Sequence, residues 1–72
     1  MKKYRITIDI FGTGMMSDVF NNRGHENDEK AVADAKEIVS AYPLNSKASI
    51  VRIDEYGEQY VATVEHVVRR TM

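Results

Sequence analysis

Residues 48–68 read ASIVRIDEYGEQYVATVEHVV, two alternating β-rich runs on either side of Asp54-Glu55-Tyr56-Gly57-Glu58. A three-residue loop with Gly in the third place predicts a type I turn closed by a G1 bulge, with Gly57 at positive φ. That turn sets Asp54 opposite Glu58, so the register pairs Arg52 with Tyr60, Val51 with Val61 and Ile50 with Ala62. One side of the hairpin then carries Ala48, Ile50, Tyr60, Ala62, Val64 and Val68. The other carries Val51, Ile53, Val61 and Val67 among Ser49, Thr63 and Glu65.

Upstream, Lys3 to Phe11 alternates, with Tyr4, Ile6, Ile8 and Ile10 on one face and Lys3, Arg5, Thr7 and Asp9 on the other. That is the pattern of a half-buried strand. Gly12-Thr13-Gly14 ends it, and the chain reads as irregular to about Glu26, long for a connection in so small a domain. Within this stretch Met15, Met16, Val19 and Phe20 have the spacing of about one helical turn. They suit a plug over the end of the core, or a lip that faces a partner.

Asn27 is a good helix N-cap, and Asp28 and Glu29 in the first turn complement the helix dipole. Ala31, Val32, Ala35, Ile38, Val39 and Tyr42 recur at helical spacing on one face. Pro43 disfavours helix at the residue before it, so the helix is expected to end near Tyr42.

The order strand, helix, strand, strand predicts a single α+β domain over residues 1–72, a three-stranded antiparallel sheet with one helix packed on one face. The last strand carries apolar residues towards both faces and is expected in the centre. The alternative pairs the first two strands as a right-handed crossover. Val51, Ile53, Val61 and Val67 would then line an uncovered sheet face, a candidate surface for homodimerisation.

The chain has 72 residues, no cysteine and a net charge of −1. A domain of this size hides only roughly 60% of its unfolded surface, and neither a disulfide nor a thiolate-bound metal supplements the core. The opening MKKYRITIDI alternates and is not the continuous apolar stretch of a signal peptide. No stretch is apolar over a membrane-spanning length. These features fit a cytoplasmic protein with no membrane partner.

With those strand directions the charges separate into two poles. Asp9, Asp18, Glu26, Asp28, Glu29, Asp54, Glu55 and Glu58 fall at one end, and Lys2, Lys3, Arg5, Lys47, Arg69 and Arg70 at the other. Dipole complementation and soluble strand edges account for part of this. An acidic pole also suits a basic protein surface. Candidate partner-binding residues are therefore Glu26, Asp28, Glu29, Asp54, Glu55 and Glu58, with Met15, Met16 and Phe20. The competing reading, a nucleic-acid-associated accessory protein, would use Lys2, Lys3, Arg5, Arg69 and Arg70, although no aromatic stacking platform accompanies them.

Reactive constellations are not evident. Gly12-Thr13-Gly14 lacks the third glycine and the following long helix of a dinucleotide fingerprint. His25, Glu26, Asp28 and Glu29 match no metal-ligand spacing. None of Ser17, Ser40, Ser46 and Ser49 has a neighbouring base. The expectation is a protein that is not an enzyme and holds no metal or cofactor.

Two resemblances bear on function. The strand-helix-strand-strand order is similar to that of dodecins, but the chain has no Trp to stack on a flavin. Ala35-Lys36-Glu37-Ile38-Val39-Ser40 followed by Ile50-Val51-Arg52-Ile53-Asp54-Glu55-Tyr56-Gly57 resembles small phage-encoded proteins with a helix leading into a hairpin, including some type I anti-CRISPR inhibitors. That resemblance implies a non-enzymatic inhibitor that acts by binding a protein partner.

Overall fold

The computed structural model describes residues 1–12 and 16–67, with the backbone alone at 16–19 and 21. Four strands and one helix follow in the order β1 (Lys2–Asp9), β2 (Met16–His25), α1 (Asp28–Val39), β3 (Lys47–Asp54) and β4 (Gly57–Glu65). The fold is α+β, with the helix on one face of an antiparallel sheet ordered β2-β1-β3-β4.

The sheet thus has one strand more than the sequence pattern predicts. The stretch expected to be irregular pairs with β1, Phe20 opposite Ile6 and Arg23 opposite Tyr4. Its sequence hides this because the register shifts between Tyr4 and Ile6, where Asn22 sits at φ 57°. A strand that slips in register loses the strict two-residue alternation by which strands are read.

The extra strand changes every direction downstream. Because β2 turns the chain back before α1, β3 runs antiparallel to β1 and lies beside it, Ile6 facing Ile50 and Ile8 facing Ala48. Neither expected arrangement holds: β4 is an edge strand, not the centre, and β1 and β3 are not a parallel crossover. The two central strands are those with the cleanest alternation, and they supply most of the core.

That core is Tyr4, Ile6, Ile8, Ala48 and Ile50 from the sheet with Ala31, Ala35 and Val39 from α1, all fully or almost fully buried. Alanines one turn apart let the helix approach the sheet closely. Asn27 caps α1 as expected, its Oδ1 accepting from the Lys30 N–H at 3.0 Å. The helix itself ends at Val39 rather than Tyr42. The N–H groups of Ala41 and Tyr42 instead donate to the carbonyls three residues back, tightening the chain before Pro43.

The hairpin turn is correct in kind and different in register. Gly57 takes φ 110°, and Asp54 Oδ1 accepts from the Tyr56 N–H at 2.8 Å. Asp54 pairs with Gly57, however, so Arg52 faces Gln59 and Val51 faces Tyr60. A bulge between Ile50 and Val51 on the partner side restores the expected pairing of Ile50 with Ala62. Val61 is the extra residue. It packs against the core on the helix side, while Tyr60 turns to the open face, the reverse of the expectation for both.

Candidate functional site

The first turn of α1 lies at the end of the molecule towards which β3 runs, and Asp28 fastens it there. The Tyr4 hydroxyl donates to Asp28 Oδ1 at 2.5 Å, and Arg52 Nη1 donates to Oδ1 at 3.1 Å and Oδ2 at 2.8 Å. Tyr4 comes from the core of β1 and Arg52 from the helix side of β3, so one carboxylate fastens the helix start to both central strands. Burial, then the bond to Asp28, pushes the Tyr4 phenol up to about 12. The same Tyr4 bond, followed by Arg52, holds Asp28 below the usual carboxylate range against the opposing effect of desolvation.

A second carboxylate fastens the other side of the helix. Arg23 on β2 donates from Nη2 to Asp34 Oδ1 at 2.9 Å and from Nε to Oδ2. His25 Nε2 lies 3.0 Å from the same Oδ2, with its ring tilted against Tyr4 at 5.8 Å. Arg23, then His25, depresses the Asp34 pKa. On the face away from the helix, Arg5 reaches across β3 to bond Glu58, which lowers the Glu58 pKa. Beside that pair the Tyr60 hydroxyl lies 2.8 Å from Thr63 Oγ1, and Ser49 Oγ 3.4 Å from it.

The acidic candidates do gather at this end, but they divide into two groups. Asp28 and Glu58 are bound internally, and Asp54 lies 3.9 Å from Arg52 Nε. Glu26, Glu29 and Glu55 are exposed with no ion pair among the described residues. Tyr56 stands next to Glu55 at 83% exposure and Tyr60 follows at 69%. Sequence reasoning missed both as surface aromatics, placing Tyr60 on the helix side through the register error. The DEYGE turn was the available signal for Tyr56.

The separate basic pole is not formed. Lys2 and Lys3 pair with His25 and Gly24 at the end that also holds Ile53, so they share the acidic end, and Arg5 is committed to Glu58. Antiparallel pairing of β1 with β3 is the physical reason. Arg69 and Arg70 lie outside the described residues, as does Met15, and only the backbone of Met16 is described. Phe20 is half-buried against the core.

The four candidate self-association residues also separate. Val51 and Ile53 stay on the open face, half-buried, alongside the Arg5–Glu58 pair. Val61 lies on the helix side. Val67 lines the far end of a groove between α1 and β4, together with Val39, Ser40 and Val64. Nearer the acidic end the groove is lined by Glu29, Val32, Ala33 and Lys36 of α1, facing Val61 and Ala62.

Among the described residues no three His, Asp or Glu side chains converge as metal ligands, and no helix is long and apolar enough to cross a membrane. No family model, curated protein or solved structure matches the chain.

Proposed function

We propose that the protein is a non-enzymatic, cytoplasmic binding module that engages a basic protein surface through the tip of the β3–β4 hairpin and the adjoining start of α1. The observation that carries this reading is Tyr56, 83% exposed on a turn whose backbone is bonded to Asp54, and flanked by Glu55, whose carboxylate has no ion pair among the described residues. Tyrosine supplies a large contact area at low entropy cost, which is why it recurs in interface centres. Glu26 and Glu29 extend the acidic surface, while Asp28 and Glu58 act on it indirectly by fixing the helix start and the hairpin.

The likeness of the α1–β3 segment to small phage-encoded inhibitors makes a type I CRISPR effector complex the first partner to try. The test mixes tagged protein with such a purified complex, with and without nuclease, and repeats it with Glu55→Lys combined with Tyr56→Ala. Stoichiometric binding that resists nuclease and is lost in the double variant supports the reading. Undiminished binding by the variant overturns it, and binding that disappears with nuclease transfers the function to nucleic acid.

A further inference from the structure

The two edges of the sheet are not equivalent. The outer edge of β2 is interrupted by its register shift and by Asn22 at positive φ, a common way of blocking edge-to-edge pairing. Beyond its single bulge, β4 pairs without a break from Ala62 to Glu65 and carries neither Lys nor Pro. Its backbone direction is fixed from outside the strand. His66 N–H donates to the Ser46 carbonyl at 2.9 Å, so the steady 47-to-65 and 49-to-63 register turns Val64 and Ala62 inwards to β3. By the alternation of antiparallel pairing, the N–H and C=O groups of Thr63 and Glu65 point out of the sheet.

The helix beside this edge is self-complementary. Its groove-lining stripe runs Glu29, Val32, Ala33, Lys36, acidic at one end, small and apolar in the middle, basic at the other. An interface with two-fold symmetry needs that kind of surface, because each patch must fit an inverted copy of itself.

We propose that two copies of this chain associate about a two-fold axis at Thr63, joining their β4 edges into one eight-stranded antiparallel sheet. Thr63 then exchanges backbone hydrogen bonds with Thr63 of the second copy, and Ala62 faces Val64 of the second copy on the helix side. Neighbouring strands lie about 4.8 Å apart, so helices seated over β3 and β4 of each copy approach to roughly 10–15 Å. The two grooves close on each other, burying Val32, Ala33, Val61 and Val64, with Glu29 of each copy towards Lys36 of the other. The open-face valines are not the contact, and Glu55 and Tyr56 lie outside the pairing segment, so this association leaves the hairpin tip free and shares only Glu29 with the proposed partner surface.

The test is sedimentation equilibrium of the purified chain over the micromolar range, with wild type and Thr63→Pro compared. Proline is tolerated on an edge strand whose N–H faces solvent, so the variant keeps the monomer fold, checked by circular dichroism. Wild type at twice the 8.2 kDa chain mass, with folded monomeric Thr63→Pro, is the expected result. A monomeric wild type overturns the proposal, as does a dimer that persists in Thr63→Pro. Should that variant fail to fold, Glu29→Lys is used, which sets like charges against each other and raises the dimer Kd about ten-fold, with recovery on adding Lys36→Glu. No weakening by the single change, or no recovery in the pair, overturns the proposal equally.

Discussion

The Tyr4 hydroxyl and the Asp28 carboxylate meet at 2.5 Å, joining the middle of the core to the first turn of α1. Tyr4 serves two functions at once. Its ring fills the core beside Ile6, while its oxygen emerges at the helix start and stays protonated because burial, and next the bond to a carboxylate, disfavours the phenolate. The phenol is raised from 10.0 to about 12, so the folded state holds its proton over a range in which the unfolded chain has lost it. This stabilisation is fully present below pH 10 and is lost as the pH rises towards 12.

Tyr4→Phe keeps the ring and removes the bond. It should cost about 1 kcal/mol at neutral pH, the net value of one hydrogen bond to a charged group partly retained by Arg52. The more specific signature is alkaline. Urea unfolding at about pH 9 and about pH 11 should show wild-type stability falling and the variant losing less. An equal loss in both proteins would mean that another group governs the alkaline limb.

Asp34 should contribute to the acidic limb. Its pKa is depressed chiefly by the Arg23 hydrogen bonds and next by His25, so its contribution is present above the unfolded value of 3.8 and is lost as the pH falls through the lower folded value. Asp28 and Glu58 have the same sign. Asp34→Asn should therefore destabilise the protein by roughly 1–2 kcal/mol at neutral pH, leaving Arg23 without its two-point partner. It should also flatten the dependence of the urea midpoint on pH in acid. An acid limb of undiminished slope would assign it to Asp28 and Glu58 instead.

The strands that alternate were readable from sequence, and so was the capped helix. Tyr4, Ile6 and Ile8 recur every second residue, and Asn27 precedes two acids and a helical repeat, so local pattern and tertiary burial agree. β2 was not readable because its pairing bends around Asn22, and asparagine and glycine carry no strand signal of their own. Missing it inverted the direction of β1 relative to β3, and the supposed basic pole followed from that one omission. The acidic tip kept the residues of the hairpin and the helix start but lost Asp9 and Asp18, which the same inversion carries to the opposite end, where Asp9 pairs with Lys47 and Asp18 with Ile8. Tyr60 was misplaced by a single residue of register, which is enough to exchange the two faces of a strand. The Val61 bulge that corrects the register further on leaves no mark in the sequence.

The hairpin turn gives a test of backbone conformation separate from packing. An added Cβ at Gly57 would meet nothing within 4 Å, so the only obstacle to a side chain is the backbone at φ 110°. Gly57→Ala should cost about 1–2 kcal/mol through that strain alone. The loss should appear in thermal unfolding with core packing unchanged, as read from methyl chemical shifts of Ile6 and Ile50. A neutral substitution would mean that the turn relaxes to another conformation, which would also move Tyr56.

At the opposite end, one buried residue ties several chain segments together. Ser46 is fully buried, and its Oγ accepts from the Phe11 N–H at 2.9 Å where β1 leaves the sheet. Its N–H donates to the Pro43 carbonyl at 3.0 Å, and its carbonyl receives the His66 N–H at 2.9 Å. The adjacent Asn45 N–H donates to the His66 carbonyl at 3.0 Å, and His66 Nδ1 lies 2.6 Å from the Tyr42 carbonyl. The end of α1, the start of β3 and the end of β4 are thus tied at one residue, and only the Phe11 bond depends on the Ser46 side chain. Ser46→Ala should leave that N–H unsatisfied in a partly buried place, at a cost of roughly 1–3 kcal/mol. Amide exchange should accelerate at Phe11 well beyond the change at His66, whose bond is to the Ser46 backbone. Equal acceleration at both would show that the hydroxyl holds the whole latch together rather than one strand end.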